Sequence, residues 1–218
     1  MEAQDYVFNE EDSVLSPRYP SPMVITLLGR DWDMPTIEQA YHAHRIYVSN
    51  EHDSRFIPFL EKLSQAQNSD EVHEIAHTLR ISYDSWLRKR QSVMTNVLQL
   101  KFPQEAKSTQ MLLDTGTAPL VFSPTAYEDL FWGQSGNEGK NLYGKALMKI
   151  RHQRQVQRLV AAAWAMQVEQ QHGGEGWTMS KACFAQELEE AFRPFRDSVS
   201  QDTYSFEKVL DSTSTFFE

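Results

Sequence analysis

A glycine-rich segment in the middle of the chain carries the strongest local signal for ligand chemistry. It contains Gly133, Gly136 and Gly139, and Lys140 follows them directly before a predicted helix that begins near Asn141. Backbone N–H groups at the start of a helix attract anions, and a neighbouring lysine adds a full positive charge. A phosphate could therefore be bound at this position. Glycine-rich loops are also ordinary connections before helices, so spacing alone does not decide between the two interpretations.

Glu38 is the second candidate. It lies in the first turn of a predicted helix, two residues after Thr36 and three before Tyr41. A carboxylate there either points into a cleft or complements the helix dipole. Trp86 and Trp132 could stack on a nucleobase, although tryptophans are also common core residues.

The sequence His73-Glu74-Ile75-Ala76-His77 matches the H-E-x-x-H pattern, in which two histidines one helical turn apart bind zinc and the glutamate activates water. A third ligand is needed. The metzincin spacing is not met, because residues 78–80 are Thr-Leu-Arg, and no downstream helix offers an obvious glutamate ligand. We therefore expect core or solvent-facing histidines, no metal and no cofactor, and keep a zinc hydrolase only as a remote alternative.

The elements that must position these residues are a few short strands and a larger number of longer helices. Thr36 and Gln39 form a capping-box pattern at the start of one helix, and Gly116 follows the end of another. The class is α+β, predominantly helical around a small sheet. We predict strands at 6–8, 22–28 and 118–123, a loop at 133–139, and helices near 36–44, 57–66, 70–79, 84–101, 104–114, 141–171 and 180–192.

Composition excludes several classes of protein. A net charge of −9 argues against general affinity for nucleic acid, yet residues 80–158 contain 12 Lys/Arg against six Asp/Glu. This basic middle suits either a local anionic ligand or solvated helix faces.

The longest apolar run, 159–166, is much shorter than the roughly 20 residues that cross a bilayer, and the acidic start does not match a secretory signal. The single cysteine excludes an internal disulfide. We expect a cytoplasmic protein with no membrane contact.

Taken together and in order, these segments resemble the NADAR (YbiA-like) family of small α+β N-glycosidases. The resemblance covers about residues 15–151, and its most distinctive part runs from Trp132-Gly133 to the Leu-Met-x-x-Arg pattern at Arg151. Residues around Glu38 depart from the family pattern: Arg18, Gln39, His42 and His44 stand where other residues are usual. The matching segments are Leu15-Ser16, Pro35 to Glu38, Trp86, Val93-Met94, Lys101-Phe102, Leu112 to Thr115, Asp129 to Gly133, Gly139 to Gly144 and Leu147 to Arg151.

The resemblance implies an N-glycosidase that cuts the bond between a phosphorylated ribose, either ribose phosphate or ADP-ribose, and a nitrogenous base. Glu38 matches the catalytic carboxylate, and Asp129 is the nearest candidate for a second acidic group or, equally, a structural acceptor. The implied ligands are a phosphorylated riboside, an ADP-ribosylated base or ADP-ribosylated nucleic acid. The implied substrate-binding residues are Trp86, Trp132, Gly133, Asn137, Gly139, Lys140, Asn141 and Arg151.

Two further expectations follow. Residues 1–154 would form the catalytic domain, and residues 155–218 a helical extension packed on or beside it. The changed positions around Glu38 leave a second function open, a module that binds ADP-ribose or a nucleotide without turnover.

Overall fold

The computed structural model describes residues 5–9, 13–49, 54–78, 83–103, 106–124 and 130–173, with the backbone alone for residues 54 and 83 and for 161–173. Within this part of the chain, helices dominate and the strands are short, so the predicted α+β class is confirmed. The strands are β1 (Tyr6–Phe8), β2 (Met23–Leu27), β3 (Arg30–Met34), β4 (Leu120–Phe122), β5 (Gln134–Ser135) and β6 (Glu138–Gly139). The α-helices are α1 (Ile37–Ser49), α2 (Ile57–Gln65), α3 (Ser69–Thr78), α4 (Tyr83–Lys101), α5 (Lys107–Asp114) and α6 (Leu142–Gly173).

The strands form three separate two-stranded sheets. β1 pairs with β4 in parallel, whereas β2 with β3 and β5 with β6 are antiparallel hairpins. Leu28 and Gly29 join β2 to β3 with φ of 54° and 70°, the left-handed conformation that suits a tight hairpin turn. β3 was not predicted, because charged residues alternate with Trp32 and Met34 in a segment that follows directly after a turn.

Helix α1 begins as predicted. The Gln39 backbone N–H donates to Thr36 Oγ1 at 3.2 Å, and the Thr36 hydroxyl donates to Gln39 Oε1 at 2.9 Å. This exchange satisfies a donor that the first turn would otherwise leave free. Gln39 Nε2 also donates to the carbonyls of Leu63 and Ala66 at 2.8 and 3.0 Å, so the side chain ties α1 to the end of α2.

The core lies where α1 packs against α4 and the β2–β3 hairpin. Its members recur on one face of each helix, as an amphipathic pattern requires. The buried residues of these two helices include Ile37, Ala40, Ala43, Ile46, Val93, Met94, Val97 and Leu98.

The glycine-rich segment differs from its prediction. Instead of a loop it contains the β5–β6 hairpin, in which Gln134 pairs with Gly139 and Ser135 with Glu138. Gly139 has a φ of 107°, and a Cβ at this position would overlap the backbone of residues 133 and 134.

The chain divides into two units at Ala161 and Ala162, and all elements except the C-terminal part of α6 belong to the first unit. The boundary that we expect after residue 154 stays a prediction, and the predicted helix over 180–192 lies outside the described residues. No helix in the described ranges is long and apolar enough to cross a membrane.

Candidate active site

Glu38 is a largely buried carboxylate with three hydrogen-bond donors. Its Oε1 accepts from Arg18 Nε at 3.3 Å, from Ser69 Oγ at 3.0 Å and from His73 Nε2 at 3.0 Å. Only 12% of the side chain is exposed, compared with 30% for Arg18 and 47% for His73. The first turn of α1 therefore presents a fixed carboxylate rather than a solvated one that merely complements the helix dipole.

These neighbours keep Glu38 ionised. Burial by itself raises the pKa of this carboxyl group, because a charge is costly away from water. The hydrogen bond from His73, the positive charge of Arg18 and the Ser69 hydroxyl outweigh burial and leave the pKa below its ordinary value. At neutral pH Glu38 is therefore a carboxylate, the form that can accept a proton or stabilise a cation.

The segment that carries Arg18 is anchored by three helices. The consecutive carbonyl oxygens of residues 15–17 accept hydrogen bonds from Tyr143 Oη at 2.8 Å, from Lys101 Nζ at 2.8 Å and from the Glu38 backbone N–H at 3.0 Å. The donors come from α6, α4 and α1, respectively. Arg18 follows this anchored tripeptide directly, so these three hydrogen bonds hold its backbone in place beside Glu38.

The two side-chain anchors are deeply buried. Burial lowers the pKa of Lys101 to about 7, since the residue is only 4% exposed and its ammonium group lies away from water. Burial also raises the pKa of the Tyr143 hydroxyl well above its ordinary value, so Tyr143 remains a donor at neutral pH. Lys101 Nζ lies 5.5 Å from the centre of the Tyr19 ring, an additional cation–π contact.

Two more histidines lie near Glu38. The His42 ring is 5.7 Å from that of His73, which in turn is 6.1 Å from that of His77. Burial lowers the pKa of His42 to about 3, and the nearby Glu38 carboxylate, which acts in the opposite direction, does not offset it. His42 is therefore neutral. Its buried Nδ1 has no hydrogen-bond partner among the described residues.

The H-E-x-x-H segment has a different arrangement from a zinc site. His73 donates to Glu38, while Glu74 lines a cavity of about 340 Å³ between α2 and α3 together with Phe59 and Lys62. Across the described ranges, no group of three or more His, Cys, Asp or Glu side chains could hold a metal ion. The geometry thus gives His73 a role as a partner of the carboxylate, and neither Glu38 nor Trp132 lines this cavity.

An aromatic cluster continues from α1. Tyr41, one turn after Glu38, contacts Trp86 at 5.0 Å and Trp132 at 5.5 Å between ring centres, both edge to face. Phe131 meets Trp132 at 4.9 Å. The structure therefore brings both predicted tryptophans together beside the turn that carries Glu38, and each of them is less than 10% exposed.

Two cations lie close to the ring of Phe131. Arg90 Cζ lies 3.2 Å from the ring centre, and Lys140 Nζ lies 5.5 Å from the same centre. Arg90 is one turn after Trp86 on α4, so the positive charges adjoin the aromatic cluster.

The backbone N–H groups at the start of α6 are not free. The amides of Lys140, Asn141 and Tyr143 donate to the carbonyls of Leu130, Gly133 and Trp132 at 2.8, 2.9 and 2.9 Å. The expectation of free amides is therefore wrong for these three groups, because carbonyl oxygens of the preceding turn accept hydrogen bonds from all three. Lys140 itself is exposed, and its role in phosphate binding stays a prediction.

Several other predicted ligand residues have structural roles in this fold. Asn141 is buried with φ of 47°; its side chain donates to the Leu120 carbonyl at 2.8 Å and accepts from the Phe122 amide at 3.1 Å. Both ends of its amide are thus used to attach β4 to α6. Arg151 is buried and donates to Thr115 Oγ1 at 2.7 Å.

The remaining predicted residues are divided between the hairpin and the chain outside the description. Gly133 packs against Pro124 with no space for a side chain, and Gly139 is fixed by its backbone conformation. Asn137 is exposed at the β5–β6 turn, and Asp129 lies outside the described residues.

Four partners of the candidate site were not predicted from the sequence. In the sequence, Arg18 is only a departure from the family pattern, and His73 is expected to be a core or solvent-facing histidine. Ser69 begins α3 without a motif. Arg90 was counted only within the basic region. None had a local signal for its contact, because each acts across a long separation in sequence.

Comparisons with known proteins agree with one another. The family model of the NADAR domain matches residues 6–154. Among solved structures, the NMR structure of the E. coli protein YbiA is similar, with a TM-score of 0.55 and 25% sequence identity. The similarity covers 72% of this chain and 89% of that chain. A comparison with curated proteins gives no significant match.

Proposed function

The chain belongs to the NADAR domain family, and from this premise we propose that it hydrolyses the N-glycosidic bond between a phosphorylated ribose and a nitrogenous base. The family is associated with N-glycosidase activity, and the architecture is YbiA-like. The observation that carries the proposal is Glu38: a buried, ionised carboxylate, fixed by three donors, at the position that the resemblance gives to the catalytic group.

The carboxylate has one oxygen available for chemistry. Within the described part of the chain, all hydrogen bonds to the Glu38 carboxylate go to Oε1. Oε2 is then the oxygen that can orient a water molecule. Arg18, Ser69 and His73 act through Oε1, and we assign them as positioning residues that hold the carboxylate and keep it charged.

In the proposed reaction, the bond between ribose C1′ and the base nitrogen breaks and its electron pair leaves with the base. Positive charge develops on the ribose, and the Glu38 carboxylate stabilises this oxocarbenium-like state. Water oxygen bonds to C1′, one of its protons passes to Glu38, and the base nitrogen gains a proton from solvent. A positioned acid–base group contributes roughly 10²- to 10⁴-fold to such a step.

The surroundings suggest how the substrate is held. Trp86 and Trp132, which are buried in the aromatic cluster, are proposed to border the base, and Lys140 is proposed to provide a charge for the phosphate. Asn137 and Asp129 are proposed to complete the ribose side, Asp129 as a second acidic group. The ligand is a phosphorylated riboside or an ADP-ribosylated base, free or within nucleic acid.

A binding module without turnover is the second candidate. The observation that favours it is Gln39, which stands where the family usually has histidine and uses its amide to join α1 to α2. The residue beside Glu38 is therefore structural here and cannot serve as an acid or base.

One assay separates the two functions. The purified protein is incubated with ribosylamino-pyrimidine phosphates and with ADP-ribosylated bases, and the free base is quantified, while calorimetry measures ADP-ribose binding in parallel. Release of base from at least one substrate supports hydrolysis. Binding of ADP-ribose without release from any substrate would favour the module.

A further inference from the structure

Arg90 and Lys140 share the ring of Phe131, at distances of 3.2 and 5.5 Å from its centre. Among the residues that the structure describes, neither side chain has a carboxylate within ion-pair distance. Two like charges beside one ring repel each other, and an anion between them would relieve that repulsion. A cation–π contact accounts for one cation beside the ring, but it gives no reason for a second cation beside the same ring.

The distance of 3.2 Å between Arg90 Cζ and the Phe131 ring centre is that of a guanidinium group stacked on the ring. A guanidinium group stacked on a ring uses its flat face, whereas its N–H donors point outward in the plane. No acceptor for these donors lies within the described ranges, although Arg90 is half-buried. The paired N–H donors of the guanidinium edge form a fork that can donate to two oxygens of one phosphate group.

This pair of cations adjoins the candidate active site. Arg90 is one helical turn from Trp86, and Phe131 contacts Trp132 at 4.9 Å. Both tryptophans meet Tyr41, which is one turn from Glu38 on α1. Successive ring contacts therefore connect the helical turn that carries Glu38 to the two cations. A phosphorylated riboside offers groups that complement the carboxylate, the rings and the cations.

We propose that Arg90 and Lys140, which both lie near the ring of Phe131, bind the phosphate of the substrate and that Arg90 determines the preference for a phosphorylated riboside. The proposal rests on the proposed function for the identity of the substrate. The phosphate is either a terminal monoester or a diphosphate, because both present the same oxygens to a guanidinium fork.

The test is calorimetric titration of the full chain with ribose 5-phosphate, ADP-ribose and unphosphorylated adenosine. Arg90→Met keeps an apolar chain over Phe131 and removes the fork. Arg88→Met removes the same charge from an exposed position on α4 and serves as the matched control. Arg90→Lys keeps the charge without the fork, and it also covers the case in which Arg90→Met fails to fold.

We expect Arg90→Met to weaken binding of the phosphorylated ligand about ten- to one-hundredfold, as for loss of a hydrogen bond to a charged group. Arg90→Lys should fall between this variant and the wild type, whereas Arg88→Met and adenosine binding should not change. A loss confined to ribose 5-phosphate identifies the monoester, and a loss confined to ADP-ribose identifies the diphosphate.

Equal losses for phosphorylated and unphosphorylated ligands would overturn the proposal, as would no loss in Arg90→Met or a wild type that binds neither phosphorylated ligand. Failure of the proposed function looks different. In that case Arg90 still controls phosphate binding, but the wild type releases no base from any substrate.

Discussion

Arg18→Met should raise the pKa of Glu38 and shift the acid side of the pH–activity profile upward. The substitution keeps much of the apolar stem of Arg18 but removes the charge 3.3 Å from Oε1. In the proposed mechanism turnover requires the Glu38 carboxylate, so we expect activity to fall as the pH drops through the pKa of this group. Arg18 lowers that pKa in the wild type, and without it protonation begins at a higher pH.

The geometry sets the size of the shift. At 3.3 Å the attraction between two unit charges is about 5 kcal/mol at an effective dielectric constant of 20 and about 1 kcal/mol in bulk water. Arg18 is 30% exposed, so solvent screening favours the lower part of this range. The attraction that Arg18→Met removes is therefore about 1 kcal/mol, enough to move the acid limb measurably to higher pH. His73 and Ser69 still donate to Oε1 and prevent a larger shift.

The assay measures kcat/KM between pH 3 and 8 for the wild type, Arg18→Met and the exposed control Arg88→Met, with circular dichroism at each pH to confirm that the chain is folded. The control should match the wild type, because the two variants have the same net charge but only one loses a contact with Glu38. An acid limb that stays unchanged in Arg18→Met, or that moves equally in both variants, would refute the assignment of Arg18 as a positioning residue.

Two other predictions concern single lysines. Burial lowers the pKa of Lys101 to about 7, so above that pH the unfolded chain binds more protons than the folded chain. The free energy of unfolding should therefore rise between pH 7 and 9 by up to about 1.4 kcal/mol per pH unit. Denaturant titrations should show this slope in the wild type and a smaller slope in Lys101→Met, and equal slopes would contradict the prediction. Lys140→Ala should weaken binding of a phosphorylated substrate by roughly 1.5 to 3 kcal/mol, whereas the affinity for the unphosphorylated nucleoside and the melting temperature should not change. Calorimetry and thermal melting measure these quantities. Equal weakening of binding for both ligands would argue against a phosphate contact.

Local signals in the sequence predict the helices better than the strands, because β3 and the β5–β6 hairpin were missed. The capping box of Thr36 and Gln39 lies within four residues, and the structure confirms it. The helix ending before Gly116 is confirmed too, with Gly116 at φ of 61°. In both cases residues that are close in sequence supply the stabilising contacts, so the residue types alone are enough to predict where the helix begins or ends.

Long-range contacts were not predictable in the same way. Glu38 meets Arg18, Ser69 and His73 across separations of 20, 31 and 35 residues, and no local pattern encodes such pairings. The start of α6 shows the same limit. Glycines and a lysine before a helix predict free amides, but the carbonyls of residues 130, 132 and 133 accept from these amides once the turn has folded.

The most direct test of the central claim compares kcat for Glu38→Gln and Glu74→Gln on the substrate that the wild type hydrolyses. Both substitutions replace a carboxylate with an amide of nearly the same size, and the amide oxygen that Glu38→Gln leaves at this position could still accept hydrogen bonds from the three donors. The proposed mechanism predicts that Glu38→Gln binds substrate but loses at least about 100-fold in kcat, whereas Glu74→Gln, altered in the H-E-x-x-H segment, retains wild-type kcat. Wild-type turnover in Glu38→Gln would contradict the account, and loss of turnover in Glu74→Gln alone would support the zinc alternative instead.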